Sequence, residues 1–177
     1  MKLRTALIAA VLLTAPSAFA QTAVTKASIP GVVNFSKVET TVACAGATTP
    51  AALAGIKSMG YNSVINLRTV GENGFDADAE AAAAKAAGIT YVHLPFNAQS
   101  PDPALVDNFL KAINDPANQP AFIHCASANR AAALWMIKRI AVDKWDVDKA
   151  AEEATALGLT SPALKTFAIE QAKRHER

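Results

Sequence analysis

The sequence predicts an α/β fold: a mostly parallel central sheet of about four to five strands with helices on both faces. Two observations lead there. Short β-rich runs alternate with helical patterns along the chain, the order that builds a parallel sheet covered on both sides. No low-complexity linker or internal repeat interrupts that alternation. Length and composition agree with it. A chain of 177 residues is about one domain, and 51% hydrophobic against 18% charged residues argues against disorder.

The N-terminus is read separately. Lys2 and Arg4 precede an apolar stretch, Thr5 to Ala15, followed by Pro16 and the small-residue pattern Ala18-Phe19-Ala20. This is the layout of a secretory signal peptide with cleavage after Ala20. The apolar run is too short for a retained anchor, and no cysteine directly follows Ala20 to carry a lipid. Residues 1–20 are therefore expected to be a signal peptide, 21–35 a leader broken by Pro30-Gly31, and 36–177 a single domain. The formal net charge of +2 resides in Lys2 and Arg4, so the exported chain is neutral and offers no ground for nucleic-acid binding. The expected destination is the periplasm or beyond, with no membrane anchor after cleavage.

Each element of the domain follows from local signals. Val38 to Cys44 is β-branched and reads as an edge strand. Thr49 and Pro50 form an N-cap with proline at the first helical position. Ala52, Ile56 and Met59 then share one helical face, and Gly60 stops the helix. Asn62 to Leu67 is a strand, followed by a polar loop holding Arg68, Gly71, Glu72 and Gly74. Ala77 to Ala87 is an alanine-rich helix closed by Gly88, and Ile89 to Leu94 is the next strand. Val106, Phe109, Leu110 and Ile113 form a helical stripe. Pro120 to His124 is a short apolar strand. The helix starting near Ala131 carries only Lys138 and Arg139 as charges before Val142, so it is expected to be central and buried, with Trp135 and Trp145 as core anchors. Two more helices are expected, from about Val147 to Leu157 and from Pro162 to about Arg174.

In such sheets ligands bind outside the carboxyl ends of the strands, which nominates the loops after Leu67, Leu94 and His124. The third is His124-Cys125-Ala126-Ser127-Ala128-Asn129-Arg130. Cys125 at a strand end would face the unpaired N–H groups of the following helix, which stabilise a thiolate and can cradle an anion. Arg130 can return its guanidinium to the loop and hold two oxygens of a phosphate or sulfate. The Ser127 hydroxyl can support the thiolate or donate a proton. His124 is expected to point away from the ligand and orient the loop. The small residues Ala126 and Ala128, with Asn129, let the backbone approach a ligand closely. The competing reading makes Cys125 a buried structural thiol and Arg130 a surface charge. Strand end, cysteine, small loop, arginine and helix in that order favour an anion-binding nucleophile.

HCASANR, with the VINLR strand and YVHLPF, resembles the bacterial tyrosine-phosphatase-like proteins related to the dual-specificity phosphatases, in the beta-lactamase hydrolase-like phosphatase branch. The resemblance covers about residues 35–172. It implies a cysteine-phosphatase-like fold that acts on a phosphorylated protein or small molecule. Cys125 would form a thiophosphoryl intermediate, Arg130 would bind the equatorial oxygens, and water would release phosphate. In the best-known phosphatases of that superfamily five residues separate the cysteine from the arginine; here four do. A loop of this length is also similar to that of rhodanese-like sulfurtransferases, where the cysteine carries a persulfide. A third reading is a catalytically silent domain that binds phosphorylated or sulfated ligands through the same loop.

The resemblance also implies a general acid in the loop Pro95–Pro103, where the one acid is Asp102; Asp102 before Pro103 equally makes a helix N-cap. Asn97 lies nearest the strand end. Arg68 either adds positive potential at the rim or forms a surface pair with Glu72. Cys44, at the end of the first strand, is either a small buried hydrophobe or a reversible disulfide partner of Cys125 in an oxidising compartment. His93, His124 and His175 fall on separate elements and show no metal-ligand spacing. Dinucleotide and Walker motifs are missing from the sequence, so no cofactor or metal is expected. N-terminal sequencing of the exported protein should begin at Gln21; a product beginning at Met1 would overturn the signal-peptide assignment.

Overall fold

The computed structural model describes residues 24–175, so the signal-peptide expectation lies outside the described residues. Six strands are present: β1 (Thr25–Lys26), β2 (Ser36–Lys37), β3 (Val42–Ala45), β4 (Ser63–Asn66), β5 (Thr90–His93) and β6 (Ala121–His124). They form one sheet in the order β1-β2-β3-β6-β4-β5. The four strands from β3 to β5 are parallel, while β1 and β2 are a short antiparallel ribbon at one side. The α/β, mostly parallel expectation is met.

The helices are α1 (Leu53–Ser58), α2 (Ala77–Ala87), α3 (Pro103–Asn114), α4 (Asn129–Ala141), α5 (Val147–Leu157) and α6 (Pro162–His175). Side chains alternate across a strand, and the alternation divides the core in two. Val42, Cys44, Ile65, Ile123 and Cys125 face a layer built from α3, α4, α5 and α6. Ala43, Ala45, Val64 and Phe122 face α1 and α2. Both faces of the parallel strands are thereby closed, which is why β3, β4 and β6 are buried along their whole length.

Two local expectations are corrected. The segment expected to be an edge strand lies inside the sheet, because β2 covers its free side and pairs Ser36 with Cys44. Part of the expected leader packs beyond that cover. β1 pairs with β2, and Phe35 is buried against Phe122 and Tyr61 at centroid distances of 6.2 and 6.4 Å, pairs of about 0.5–1.5 kcal/mol each. Met59 was expected on the buried face of α1, but the helix ends at Ser58 and leaves it 46% exposed. Ala52 and Ile56 are buried as expected.

The α4 helix is enclosed on nearly every side, and its charge Arg139 is only 3% exposed. The guanidinium survives there because it is paired and sandwiched. It bonds the buried Glu153 at 2.7 Å, Glu39 at 2.6 Å and Asp143 at 2.9 Å. The rings of Trp135 and Trp145 lie 4.6 and 4.1 Å from its central carbon. Glu153 also accepts the Trp135 indole N–H at 2.7 Å. This knot joins the β2–β3 connection, α4 and α5. Arg139→Ala strips the buried Glu153 carboxylate of its guanidinium and should lower unfolding free energy by about 3–5 kcal/mol, measured by urea denaturation at pH 7. A loss below about 1 kcal/mol would show that the knot contributes little.

Candidate active site

The strand order puts β6 between β3 and β4, so the loop after β6 is gripped from both sides. The Cys125 N–H donates to the Ala45 carbonyl at 3.2 Å, and the Leu67 N–H donates to the His124 carbonyl at 2.9 Å. Beyond the end of β3, the Ala47 N–H donates to the Ala126 carbonyl at 2.9 Å. That approach requires Gly46, where a Cβ would stand 3.0 Å from the Ala126 oxygen and 3.2 Å from the Ser127 Cα. Cys125 is fully buried, whereas Ala126 and Ser127 are exposed at the loop's crest.

Ala128 turns the chain into α4 in the left-handed region, at φ 77°, which costs a non-glycine residue about 1–2 kcal/mol. Its methyl packs against Gly158, where a Cβ would come within 3.1 Å of it. The helix that follows has no side-chain cap, so the N–H groups of its first turn remain open to an anion. Asn129 braces the loop from outside. Its Oδ1 accepts the N–H groups of Thr160 at 2.7 Å and Ser161 at 3.0 Å, and its amide reaches the Ser127 hydroxyl at 3.4 Å.

Arg130 returns across the strand ends rather than outward. Nη1 donates to the Leu67 carbonyl at 3.0 Å, the Phe96 carbonyl at 2.9 Å and Glu72 Oε1 at 2.6 Å; Nη2 donates to Glu72 Oε2 at 2.9 Å. A guanidinium has five N–H groups. These bonds engage three of them, and the guanidinium also hydrogen-bonds Cys125; its Nε–H and second Nη2–H form a fork that matches two oxygens of a tetrahedral anion. Burial pulls the guanidinium pKa down, but the Glu72 hydrogen bonds and then the Cys125 charge push it up further, and the net direction is up.

Glu72 is the hub of this arrangement. It also accepts Arg68 Nε at 3.1 Å and both the N–H and hydroxyl of Thr69, at 2.8 and 3.0 Å. Burial alone would raise its carboxyl, but the bonds from Arg130, Thr69 and Arg68 overcome this and hold it at about 2. In the sequence Glu72 stands out only as a partner for Arg68. The missed signal was an acid four residues after an arginine in a loop at the nominated sheet edge.

The other expected residues divide between the site and its supports. Arg68 is 4% exposed and turned into its own loop, donating to Glu72 and to the carbonyls of Asn73 and Gly74 beneath the Phe75 ring. The Glu72 pair is therefore partly buried, with Arg68 beneath the loop surface and Glu72 22% exposed. Asn97 lines the cavity beside Arg130. Asp102 is exposed and caps α3 by accepting the Ala104 N–H at 2.9 Å. His124 points to the opposite face from Cys125, its Nε2 2.6 Å from the buried carboxylate of Glu80. Cys44 lies opposite Ile123 on the Cys125 face. Both thiols are free, and burial followed by the charge of Cys125 drives the Cys44 thiol far up.

With this geometry in view, the comparisons with known proteins are specific. The profile of the family described as beta-lactamase hydrolase-like protein, phosphatase-like domain, matches residues 34–142. A beta-lactamase hydrolase-like protein of Xylella fastidiosa is 37% identical over 83 residues, which is 46% of this chain and 19% of that protein. The match therefore spans about a fifth of the length of that curated relative. A DUF442 protein of Shewanella putrefaciens CN-32 has the same fold, with a TM-score of 0.72 and 20% identity over 84% of this chain and 97% of its own. TpbA of P. aeruginosa, solved in complex with pTyr, superposes with a TM-score of 0.63 and 18% identity over 90% of this chain and 91% of its own.

The low Glu72 pKa has a definite sign. A carboxylate held below its ordinary value adds stability that is fully present above that value, about 4.5, and is lost as pH falls toward 2. Urea midpoints of the wild type should therefore fall more steeply between pH 5 and 2 than those of Glu72→Gln. Parallel pH dependences would show that the carboxylate is not held in this way.

Proposed function

The chain belongs to the family of the phosphatase-like domain of beta-lactamase hydrolase-like proteins, and on that premise we propose that it is an exported, cysteine-dependent phosphatase of phosphomonoester type. The observation that carries the proposal is the Arg130 fork. The guanidinium that Glu72 holds hydrogen-bonds Cys125 and lies at the uncapped start of α4.

In this reading the Cys125 thiolate attacks phosphorus from within the loop. Two non-bridging oxygens lie on Arg130 Nε–H and Nη2–H, while the N–H groups of the loop and first helical turn surround the third. The P–O bond to the leaving group breaks as the S–P bond forms. Water then attacks the thiophosphoryl group, and the thiolate departs to regenerate the enzyme. Ser127, exposed at the crest, can hydrogen-bond the thiolate during this second step. Ala126 and Ala128 keep the crest narrow enough for backbone contact. Arg68 and Glu72 act as positioning residues, because they hold the guanidinium without touching the phosphoryl group. His124 supports the strand end through Glu80. The complex of TpbA with pTyr supports a phosphorylated ligand for the fold, and the basic, apolar N-terminal stretch supports export to the periplasm.

Cys125→Ser should abolish phosphate release from p-nitrophenyl phosphate while phosphate binding persists. Arg130→Lys, which keeps the charge but loses the fork, should lower kcat/KM by about 10²–10³-fold. Thiosulfate-to-cyanide transfer by the wild type without phosphate release would favour a sulfurtransferase. Neither activity, with anion binding that depends on Arg130, would favour a binding domain.

A further inference from the structure

When Cys125 takes a phosphoryl group, the departing oxygen leaves with the electron pair of the broken P–O bond. An alkoxide must be protonated at that moment by a general acid. A second phosphate group departs as a stable anion and needs no proton. The surroundings of the nucleophile loop distinguish these cases.

Two cavities flank the loop. One, of about 280 Å³, is lined by Thr69, Glu72, Asn97, Gln99 and Arg130 among others. The second, of about 330 Å³, lies on the Ser127 side and includes Lys26, Asn34, Ser36 and Thr160. Among the described residues lining the pair, the one carboxylic acid is Glu72. Its carboxylate receives five hydrogen bonds, from Arg68, Thr69 and Arg130. It is held ionised at about 2 and has no proton to give near neutral pH. Asp102 lines neither cavity, and its carboxylate caps α3.

Asn97 occupies the place after β5 where an acid would be needed. Its Oδ1 accepts the Gln99 N–H at 3.0 Å, which leaves the amide NH₂ as the group it can offer a substrate. An amide can hydrogen-bond a departing oxygen but cannot protonate it. The cavity walls are also polar. The aromatic residue among them, Phe96, is fully buried and takes part through its backbone carbonyl, so it presents no ring face to an aryl group. Lys26 adds a cation on the Ser127 side. Amide donors and a lysine suit an anionic leaving group better than a phenol or a neutral alcohol.

Resting on the cysteine-phosphatase reading and narrowing its substrate within that reading, we infer that the preferred substrate of this site is a phosphoanhydride, activated aryl monoesters whose leaving group needs no proton being turned over by the same chemistry. Cys125 Sγ bonds to the terminal phosphorus while the bridging P–O bond breaks, and its electron pair leaves on the second phosphate as an anion. No proton passes from the protein in that step. Water then attacks the thiophosphoryl group; the S–P bond breaks with its electrons returning to Cys125, and the proton of the water is released to solvent.

The test compares kcat/KM, which reports leaving-group departure, for sodium tripolyphosphate, p-nitrophenyl phosphate and β-glycerophosphate, with the chain lacking residues 1–20 and its Cys125→Ser variant. The expected result is Cys125-dependent hydrolysis of tripolyphosphate at least as fast as p-nitrophenyl phosphate, with β-glycerophosphate slower by about 100-fold or more. Cys125-dependent hydrolysis of p-nitrophenyl phosphate without tripolyphosphate would overturn the anhydride assignment in favour of aryl esters. β-Glycerophosphate within tenfold of the others would overturn the inference by requiring an acid. Release that survives in Cys125→Ser, or none from any of the three substrates, would overturn the phosphatase reading itself and this inference with it.

Discussion

The Arg130–Glu72 ion pair is the interaction on which the candidate site depends. Arg130 lies in the first turn of α4, yet its guanidinium crosses the ends of two strands to reach the Leu67 and Phe96 carbonyls and the Glu72 carboxylate. One side chain thereby fixes the loops after β4, β5 and β6 relative to one another. A charge at 9% exposure would be costly unpaired. Here the carboxylate compensates it, and the two carbonyls satisfy donors that water would otherwise take. The carboxylate is in turn held by Arg68 and Thr69 from its own loop. The direction of the remaining Arg130 donors follows from this chain of contacts.

The nucleophile loop contributes little rigidity through its own side chains. Between Cys125 and Asn129 it has two alanines and a serine, and Ala128 takes up a left-handed conformation that an alanine disfavours. Order is imposed from outside. Gly46 lets the end of β3 lie against the crest, Gly158 makes room for the Ala128 methyl, and Asn129 is clipped to Thr160 and Ser161. A short loop of small residues held at its edges keeps its backbone donors near an anion without a side chain in the way.

The opposite face of the sheet holds a second buried polar group. His124 contacts Glu80 from α2, and the Asn66 amide donates to Glu80 and to the Tyr91 hydroxyl, each at 3.0 Å. Burial, then the Glu80 charge, pushes Tyr91 up to about 12 despite the Asn66 bond, so its hydroxyl remains protonated. Asn66 Oδ1 accepts the Arg68 N–H at 2.7 Å, which joins this group to the base of the Glu72 loop. Alternation along β6 separates the two systems: His124 enters one face while Cys125 enters the other.

Local pattern made much of this legible. The period of the strands and helices, Gly88 at the end of α2, the Val106–Ile113 stripe and the HCASANR segment can all be read within a few residues of chain, because turn chemistry and amphipathicity are local properties. What required partners distant in sequence could not be read in that way. Val38 to Cys44 looks like an edge strand until β2 covers it. Asn129 looks like a ligand-facing loop residue until Thr160, thirty-one positions away, takes its oxygen. Arg68 and Glu72 look like a surface pair until Arg130 arrives from fifty-eight positions beyond Glu72 and binds the same carboxylate. The sequence by itself determined the α/β alternation and the order of nucleophile, small loop and arginine. Only the tertiary structure decided which charges neutralise one another and which donors remain for a ligand, because those outcomes depend on the order of strands in the sheet.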